Sequence, residues 1–172
     1  MENPSAFPMG EPNDGFAQYF VGQSYLAPVL ETPQIAIHNV TFEPGCRNNW
    51  HIHHNAAQVL IAVGGCGYYQ IEGQEPKELK AGQAVCIPAD TKHWHDAAPG
   101  ESCSHLAFMV PAGDPASMSN EWLEPVGGGA LSQTFIRAGG CRSLRQTCLR
   151  SVVLIWRAIL QKWDGPFCCS GR

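Results

Sequence analysis

Three histidines and one glutamine stand at spacings that suit a metal site. His51 and His53 are two residues apart, Gln58 follows His53 by five, and His93 lies in a later segment. Side chains two apart on a strand point to the same side of a sheet, so His51 and His53 can converge on one point. Gln58 and His93 would arrive from neighbouring strands. These positions therefore predict a site for a divalent transition metal, because imidazole suits such ions and a side-chain oxygen favours the harder ones.

The glutamine determines how much charge the ion would keep. Three neutral imidazoles and the neutral amide of Gln58 leave the full +2 charge in place, whereas a glutamate would cancel half of it. A more positive ion polarises a bound carbonyl or acidifies a bound hydroxyl more strongly. It also stabilises high-valent iron less well. The ligand set thus favours Lewis-acid chemistry, such as a lyase, isomerase or addition reaction, over oxygen activation.

Further histidines are candidates for proton transfer. His95 lies two residues after His93 and is either a general acid/base or a histidine that holds the loop. His105 stands on a predicted strand and becomes a second catalytic candidate if that face points inward. His54 faces away from His51 and His53 and is not expected to be a ligand.

The ligands should open onto a small, mostly apolar cavity. Trp50 and Trp94 flank predicted ligands, so we expect them to wall the site or to shield it from water. His38 and Val40 either line the cavity or pack within the sheet. A cavity of this kind predicts a small-molecule substrate.

The elements that would hold the site are short strands without helices between them, which favours a sandwich or barrel. Gly64 and Gly65 predict a turn between strands at residues 58–63 and 66–72. We divide the chain into an N-terminal arm (1–33), a β-barrel (34–126) and an atypical basic tail (127–172). Apolar residues between positions 152 and 163 fall at helical spacing, so the tail could contain a helix.

Composition narrows the function classes. The chain has 172 residues, enough for one domain, and 44% of them are hydrophobic. Residues 1–126 hold 14 acidic and 4 basic side chains, an excess that argues against nucleic acid binding. No apolar run is long enough to span a bilayer. Because no secretory signal is visible, we expect the eight cysteines to be reduced thiols of a cytoplasmic protein.

Two spaced motifs make the chain resemble a known family. The pattern Gly45-x5-His51-x-His53-x4-Gln58-x5-Gly64 resembles the first cupin motif. The pattern Gly82-x5-Pro88-x-Asp90-x2-His93 resembles the second cupin motif. The similarity to the family covers about residues 34–111. The forms WHIHH and KHWH are similar to those of small bacterial cupins that include manganese-dependent hydroxynitrile lyases and cupins associated with carboxymuconolactone decarboxylases.

This resemblance implies a single jelly-roll β-barrel and a homodimer. It implies manganese as the metal, with iron, nickel and zinc as alternatives, and lyase chemistry of the hydroxynitrile-lyase type. A metal-dependent dioxygenase and a non-catalytic, metabolite-binding cupin are the alternatives, since cupins host many activities. The chain departs from the group at Asp96, where glycine is usual.

Overall fold

The computed structural model describes residues 2–127, and they form an all-β structure, which confirms the predicted class. Our helical expectation for the tail falls on residues 128–172, outside this part. Two short 3-10 helices cover Asp14–Tyr19 and Pro115–Ser117. No helix within residues 2–127 is long and apolar enough to cross a membrane. The strands are β1 (Glu11–Pro12), β2 (Phe20–Val21), β3 (Ser24–Glu31), β4 (Ala36–Phe42), β5 (Arg47–Asn48), β6 (His51–His54), β7 (Ala56–Ile71), β8 (Lys77–Lys80), β9 (Ala84–Ile87), β10 (His93–Ala97), β11 (Cys103–Pro111) and β12 (Ser119–Trp122).

Two antiparallel sheets share the long strand β7. The first sheet runs in the order β1-β3-β4-β11-β7, with β9 on the other side of β7. The second joins the later half of β7 to β8 and β10, and β10 to β5 and β6. Strands β2 and β12 extend it through β5 and β6. The sheets curl around one interior, so the predicted jelly-roll barrel is confirmed.

Gly64 and Gly65 bend a strand and do not end it, so the predicted turn is wrong. Strand β7 is 16 residues long and runs through both glycines. Its first half pairs with β11 as far as Gly65, and its second half pairs with β10 from Gly67. Gly65 has a φ of 65°, and a Cβ there would overlap the carbonyl oxygen of Ser102. The glycines thus let one strand pass from the first sheet to the second.

The residues that we assigned to an N-terminal arm take part in both sheets. Strand β3 pairs with β4 from Ser24 to Glu31, and β2 pairs with β5. The side-chain amide of Asn39 donates a hydrogen bond of 2.8 Å to the carbonyl oxygen of Pro8. The 3-10 helix Asp14–Tyr19 carries aromatic residues to the mouth of the barrel. The boundary between residues 33 and 34 stays a prediction.

The glycine bend gives a test of the fold. We expect Gly65→Ala to lower the free energy of unfolding by more than ~2 kcal/mol, because it adds a backbone clash to a left-handed conformation. Gly73→Ala is the matched control: Gly73 has a φ of 77°, and nothing lies within 4 Å of the added Cβ. Left-handed backbone alone should cost about 1–2 kcal/mol. Equal losses in urea denaturation would contradict our account of the bend.

Candidate metal centre

Strands β6 and β10 bring three of the predicted ligands together. His51 and His53 lie two apart on β6, and His93 on β10 is the cross-strand partner of His51. One ring nitrogen from each of the three lies within 4.8 Å of the others, and all three side chains are buried. The ring centroids of His51 and His93 are 4.1 Å apart, and His53 lies 5.0 Å from His51. The arrangement could hold a metal ion.

The Nδ1 atom of each ring faces an oxygen. In His51 it lies 3.0 Å from the carbonyl oxygen of Asn49, and in His93 it lies 2.8 Å from that of Thr91. In His53 it lies 2.6 Å from the side-chain oxygen of Asn120. Since these oxygens accept, each Nδ1 carries the proton and donates it. The three Nε2 atoms are left with bare lone pairs, which is the tautomer that a metal ligand needs.

Two contacts show that this donor set fits a cation. The Nε2 atom of His53 is buried and has no hydrogen-bond partner among the described residues. The Nε2 atom of His93 lies 2.9 Å from the side-chain oxygen of Gln58, so two acceptors face each other in the tautomer assigned above. A shared cation would satisfy all of these atoms, and imidazole with an amide oxygen suits a divalent transition ion.

Burial keeps the three imidazoles neutral near pH 7. It lowers the pKa of His51 well below its ordinary value, and the neighbouring His93 and His53 add to the effect. Burial also lowers the pKa of His53, and it lowers that of His93 to about 4. Because a protonated imidazole has no lone pair to give, low pKa values keep the site ready for an ion.

His95 and His105 lie beside this cluster, on the inner surface of the barrel. The side-chain nitrogen of Asn48 lies 3.0 Å from His95 Nε2. The side-chain oxygen of Asn48 accepts a 3.0 Å hydrogen bond from the backbone N–H of His95. The rings of His95 and His105 are 5.0 Å apart. Burial lowers the pKa of both rings, and that of His105 falls to about 4. Among the described residues, His105 Nε2 has no hydrogen-bond partner.

The face that we left open on β11 does point inward. His105 lines a cavity of about 160 Å³ together with His51, His53, Gln58 and His95. None of the described residues that line it is an aspartate, glutamate, lysine or arginine. The cavity therefore suits a small, uncharged molecule.

The aromatic wall differs from our prediction. Trp50 and Trp94 do not line the cavity; they lie near each other, and Trp94 donates a 2.8 Å hydrogen bond to Gln70. Trp94 stands next to His93 on β10, so it points to the opposite face, and Trp50 directly precedes β6. The cavity is walled by Phe16, Phe20, Phe42 and Trp122. His54, as expected, turns away from the cluster and contacts Asp90 and Glu121.

Sequence reasoning missed three residues of the site. Asn48 fixes His95, Asn120 fixes His53, and the Trp122 ring lies 4.9 Å from that of His51 and stacks on Tyr19. Asn120 and Trp122 stand on β12, which pairs with β6 so that Asn120 opposes His53. The alternation of Asn120 and Trp122 was a signal that we did not use, because the segment has no run of apolar residues.

Asp96, the departure noted above, is a buried carboxyl group. It is 4% exposed and accepts a 2.9 Å hydrogen bond from the backbone of Tyr68. Burial raises its pKa to about 7, although the Tyr68 amide and the charge of Arg47 oppose the shift. The folded chain therefore holds a proton that the unfolded chain would release near pH 4.

Comparisons with known proteins agree with this geometry. A family profile described as "Cupin domain" matches residues 38–110. The "(R)-mandelonitrile lyase" of Granulicella tundricola is 37% identical over 115 residues, which is 65% of this chain and 85% of that protein.

Solved structures show the same architecture. The crystal structure of a cupin-like protein from Thermotoga maritima has a TM-score of 0.67 and 29% identity, and the match covers 75% of this chain and 96% of that one. An uncharacterised protein with a double-stranded β-helix domain from Klebsiella pneumoniae has a TM-score of 0.51 and 18% identity, over 59% of this chain and 80% of that one. The second likeness speaks for the fold alone.

The contact between Asn120 and His53 predicts a change in metal affinity. Asn120→Ala removes the oxygen that orients His53, so we expect affinity for the divalent ion to fall by ~10–100-fold in competition with a coloured chelator. Ser119→Ala on the same strand is the control and should bind as the native chain does. His51→Ala should lose the metal altogether, as measured by elemental analysis against a native ratio near one. Equal affinities for the two β12 variants would refute the role of Asn120.

The buried Asp96 predicts an unusual pH dependence of stability. Because its folded pKa is raised, its stabilising contribution is full below about pH 4 and is lost as pH rises through about 7. Asn in its place keeps an acceptor for the Tyr68 amide and does not ionise. Relative to the native chain, we expect the free energy of unfolding of metal-free Asp96→Asn to increase as the pH rises from 4 to 8. Parallel curves in urea titrations would show that Asp96 is ionised in the folded chain.

Proposed function

The chain belongs to the cupin family, and from this premise we propose that it is a metal-dependent lyase that cleaves and forms small hydroxynitriles. The observation that carries the proposal is the cluster of His51, His53 and His93, two of which, His51 and His53, line a cavity without charged side chains among the described residues. The 37% identity to a mandelonitrile lyase supports the choice of reaction.

We assign the metal to His51, His53, His93 and Gln58. All four side chains are neutral, so they would leave the ion its full charge. Manganese is the proposed ion because the set mixes imidazole with an oxygen donor, and iron, nickel and zinc are the alternatives. When bound, the ion supplies Lewis-acid polarisation of a hydroxyl or carbonyl oxygen.

His105 and His95 are the proposed acid/base residues. Both are buried and neutral, and His105, whose Nε2 has no hydrogen-bond partner among the described residues, lines the cavity where it could accept a proton. In cleavage, an imidazole takes the proton of the substrate hydroxyl. The bond between the carbon that bears this hydroxyl and the nitrile carbon then breaks, and its electron pair leaves with cyanide. The proton then passes to cyanide, so that an aldehyde and hydrogen cyanide are released. Addition runs through the same steps in reverse.

The cavity limits the substrate. A cavity of about 160 Å³ is close to the ~150 Å³ that holds a benzene molecule in an engineered protein core. Aromatic rings of Phe16, Phe20 and Trp122 wall it, and no described charge would pair with an ionised substrate. An aromatic hydroxynitrile therefore suits the cavity. A homodimer, expected from the resemblance, is part of the same proposal.

The reaction gives a direct test. Manganese-loaded protein should release benzaldehyde from mandelonitrile at equal rates with and without air. We expect His105→Ala to lower kcat by ~10²–10⁴-fold while its metal content stays near the native value, because it loses a proton acceptor. His54→Ala is the matched control, since His54 lies on the surface and should leave kcat unchanged.

Two results would contradict the lyase. Oxygen consumption linked to turnover would favour the dioxygenase. Unchanged turnover in a variant in which both His95 and His105 are replaced would contradict their proposed role in proton transfer.

A further inference from the structure

A second and larger cavity opens beside the candidate metal centre. It has a volume of about 590 Å³ and is formed by β3, β4, β11, the connection between β3 and β4, and the segment that leads to β12. Its walls are mostly aliphatic side chains, prolines and methionines. We call it the outer groove, and the cavity of 160 Å³ the inner cavity. The lining of the outer groove includes Leu26, His38, Val40, Ala107 and Met109.

The two spaces share a wall. Leu26, Val40 and Ala107 line both of them. Leu26 is the cross-strand partner of Val40, and Val40 is the cross-strand partner of His105. Leu26, Val40 and His105 therefore form one row across β3, β4 and β11. In the next row, Ala107 opposes His38, which lines the outer groove. The inner cavity and the outer groove therefore lie next to each other, with these shared side chains at their boundary.

The outer groove also adjoins a proposed metal ligand. Met109, in its wall, is the cross-strand partner of Gln58. Its walls hold no aspartate, glutamate, lysine or arginine among the described residues, and His38 is the one titratable group. The Nε2 atom of His38 lies 3.5 Å from a carboxylate oxygen of Glu31. An apolar, uncharged group is the occupant that suits such walls.

Size separates the roles of the two spaces. Ligand cavities usually measure about 300–1,000 Å³, and the inner cavity alone falls below that range. The volume of the inner cavity and the outer groove taken together lies within that range. The inner cavity has room for about one ring or a short chain beside the histidines.

We propose that the outer groove holds the apolar substituent of an elongated, uncharged substrate whose polar end lies at His51, His53 and His93, and that Leu26, Val40 and Ala107 form the neck between them. This inference rests on the proposed function for the chemistry at the polar end. It names the substrate class: neutral molecules with an apolar chain or second ring that reaches past the neck. Ala107 decides the width of the neck because it has the smallest side chain of the three.

Binding of unreactive probes tests the neck without relying on turnover. The probes are neutral linear amides from acetamide to octanamide, titrated by calorimetry into the full chain as purified. We expect affinity to rise by about 4-fold per added methylene in the native chain, since each buried methylene is removed from water. In Ala107→Leu, acetamide should bind within about 2-fold of native, and octanamide should bind at least ~10-fold more weakly.

Matched variants guard against a folding defect. Ala57→Leu makes the same change on β7 outside both cavity walls, so it should reproduce the native series. Ala107→Val is the milder alternative if the leucine variant does not fold, and it should weaken octanamide in the same direction. Val40→Ala widens the neck and should improve binding of a branched amide relative to a linear one.

The outcomes separate this inference from the lyase proposal. Length-dependent binding that Ala107→Leu abolishes, in a protein that does not cleave mandelonitrile, would support the groove and overturn the lyase. Cleavage with an affinity that does not depend on chain length would overturn the groove and keep the lyase. Long probes that bind a monomer but not a dimer would show that a second copy covers the groove, which would also overturn the inference.

Discussion

Three hydrogen bonds from imidazole Nδ1 atoms govern the site. They fix the tautomer of His51, His53 and His93, and they turn the three Nε2 lone pairs toward one another. Lone pairs that face each other inside a protein repel, so this arrangement is stable only if something positive lies between them. The barrel supplies the walls, and these donor–acceptor pairs leave its interior with a donor set that could hold an ion. Two of the three acceptors are the backbone oxygens of Asn49 and Thr91, which lie in the segments that lead into β6 and β10.

The alternation of side chains between the two faces of a strand explains both what the sequence could predict and where the prediction went wrong. His51 and His53 share a face because they are two apart, and this local rule needs no knowledge of the fold. The same rule places Trp94, between His93 and His95, on the other face, where the structure has it. Our expectation that it walls the site ignored that rule.

The remaining features depend on contacts between distant parts of the chain. Strand β12 forms because it pairs with β6, and its own residues are too polar to predict a strand. Gly64 and Gly65 resemble a turn in isolation, but strand pairing before and after them makes them a bend within β7 and not its end. Asn48 and Asn120 act through side-chain hydrogen bonds to histidines far away in sequence, and no local pattern marks such bonds. Thus the histidine cluster is predictable from the sequence, whereas the residues that orient its rings are not.

The position of β12 at the edge of its sheet links the site to the dynamics of the chain. Within residues 2–127, β12 is paired with β6 alone, and it carries both the oxygen that orients His53 and the ring beside His51. Edge strands open more readily than central ones, because fewer backbone hydrogen bonds hold them. Each opening of β12 would release the His53 ring and admit water at the same moment. An ion held at the proposed site would therefore leave at a rate linked to the fraying of an edge strand, and the rate of metal exchange would then report on local unfolding.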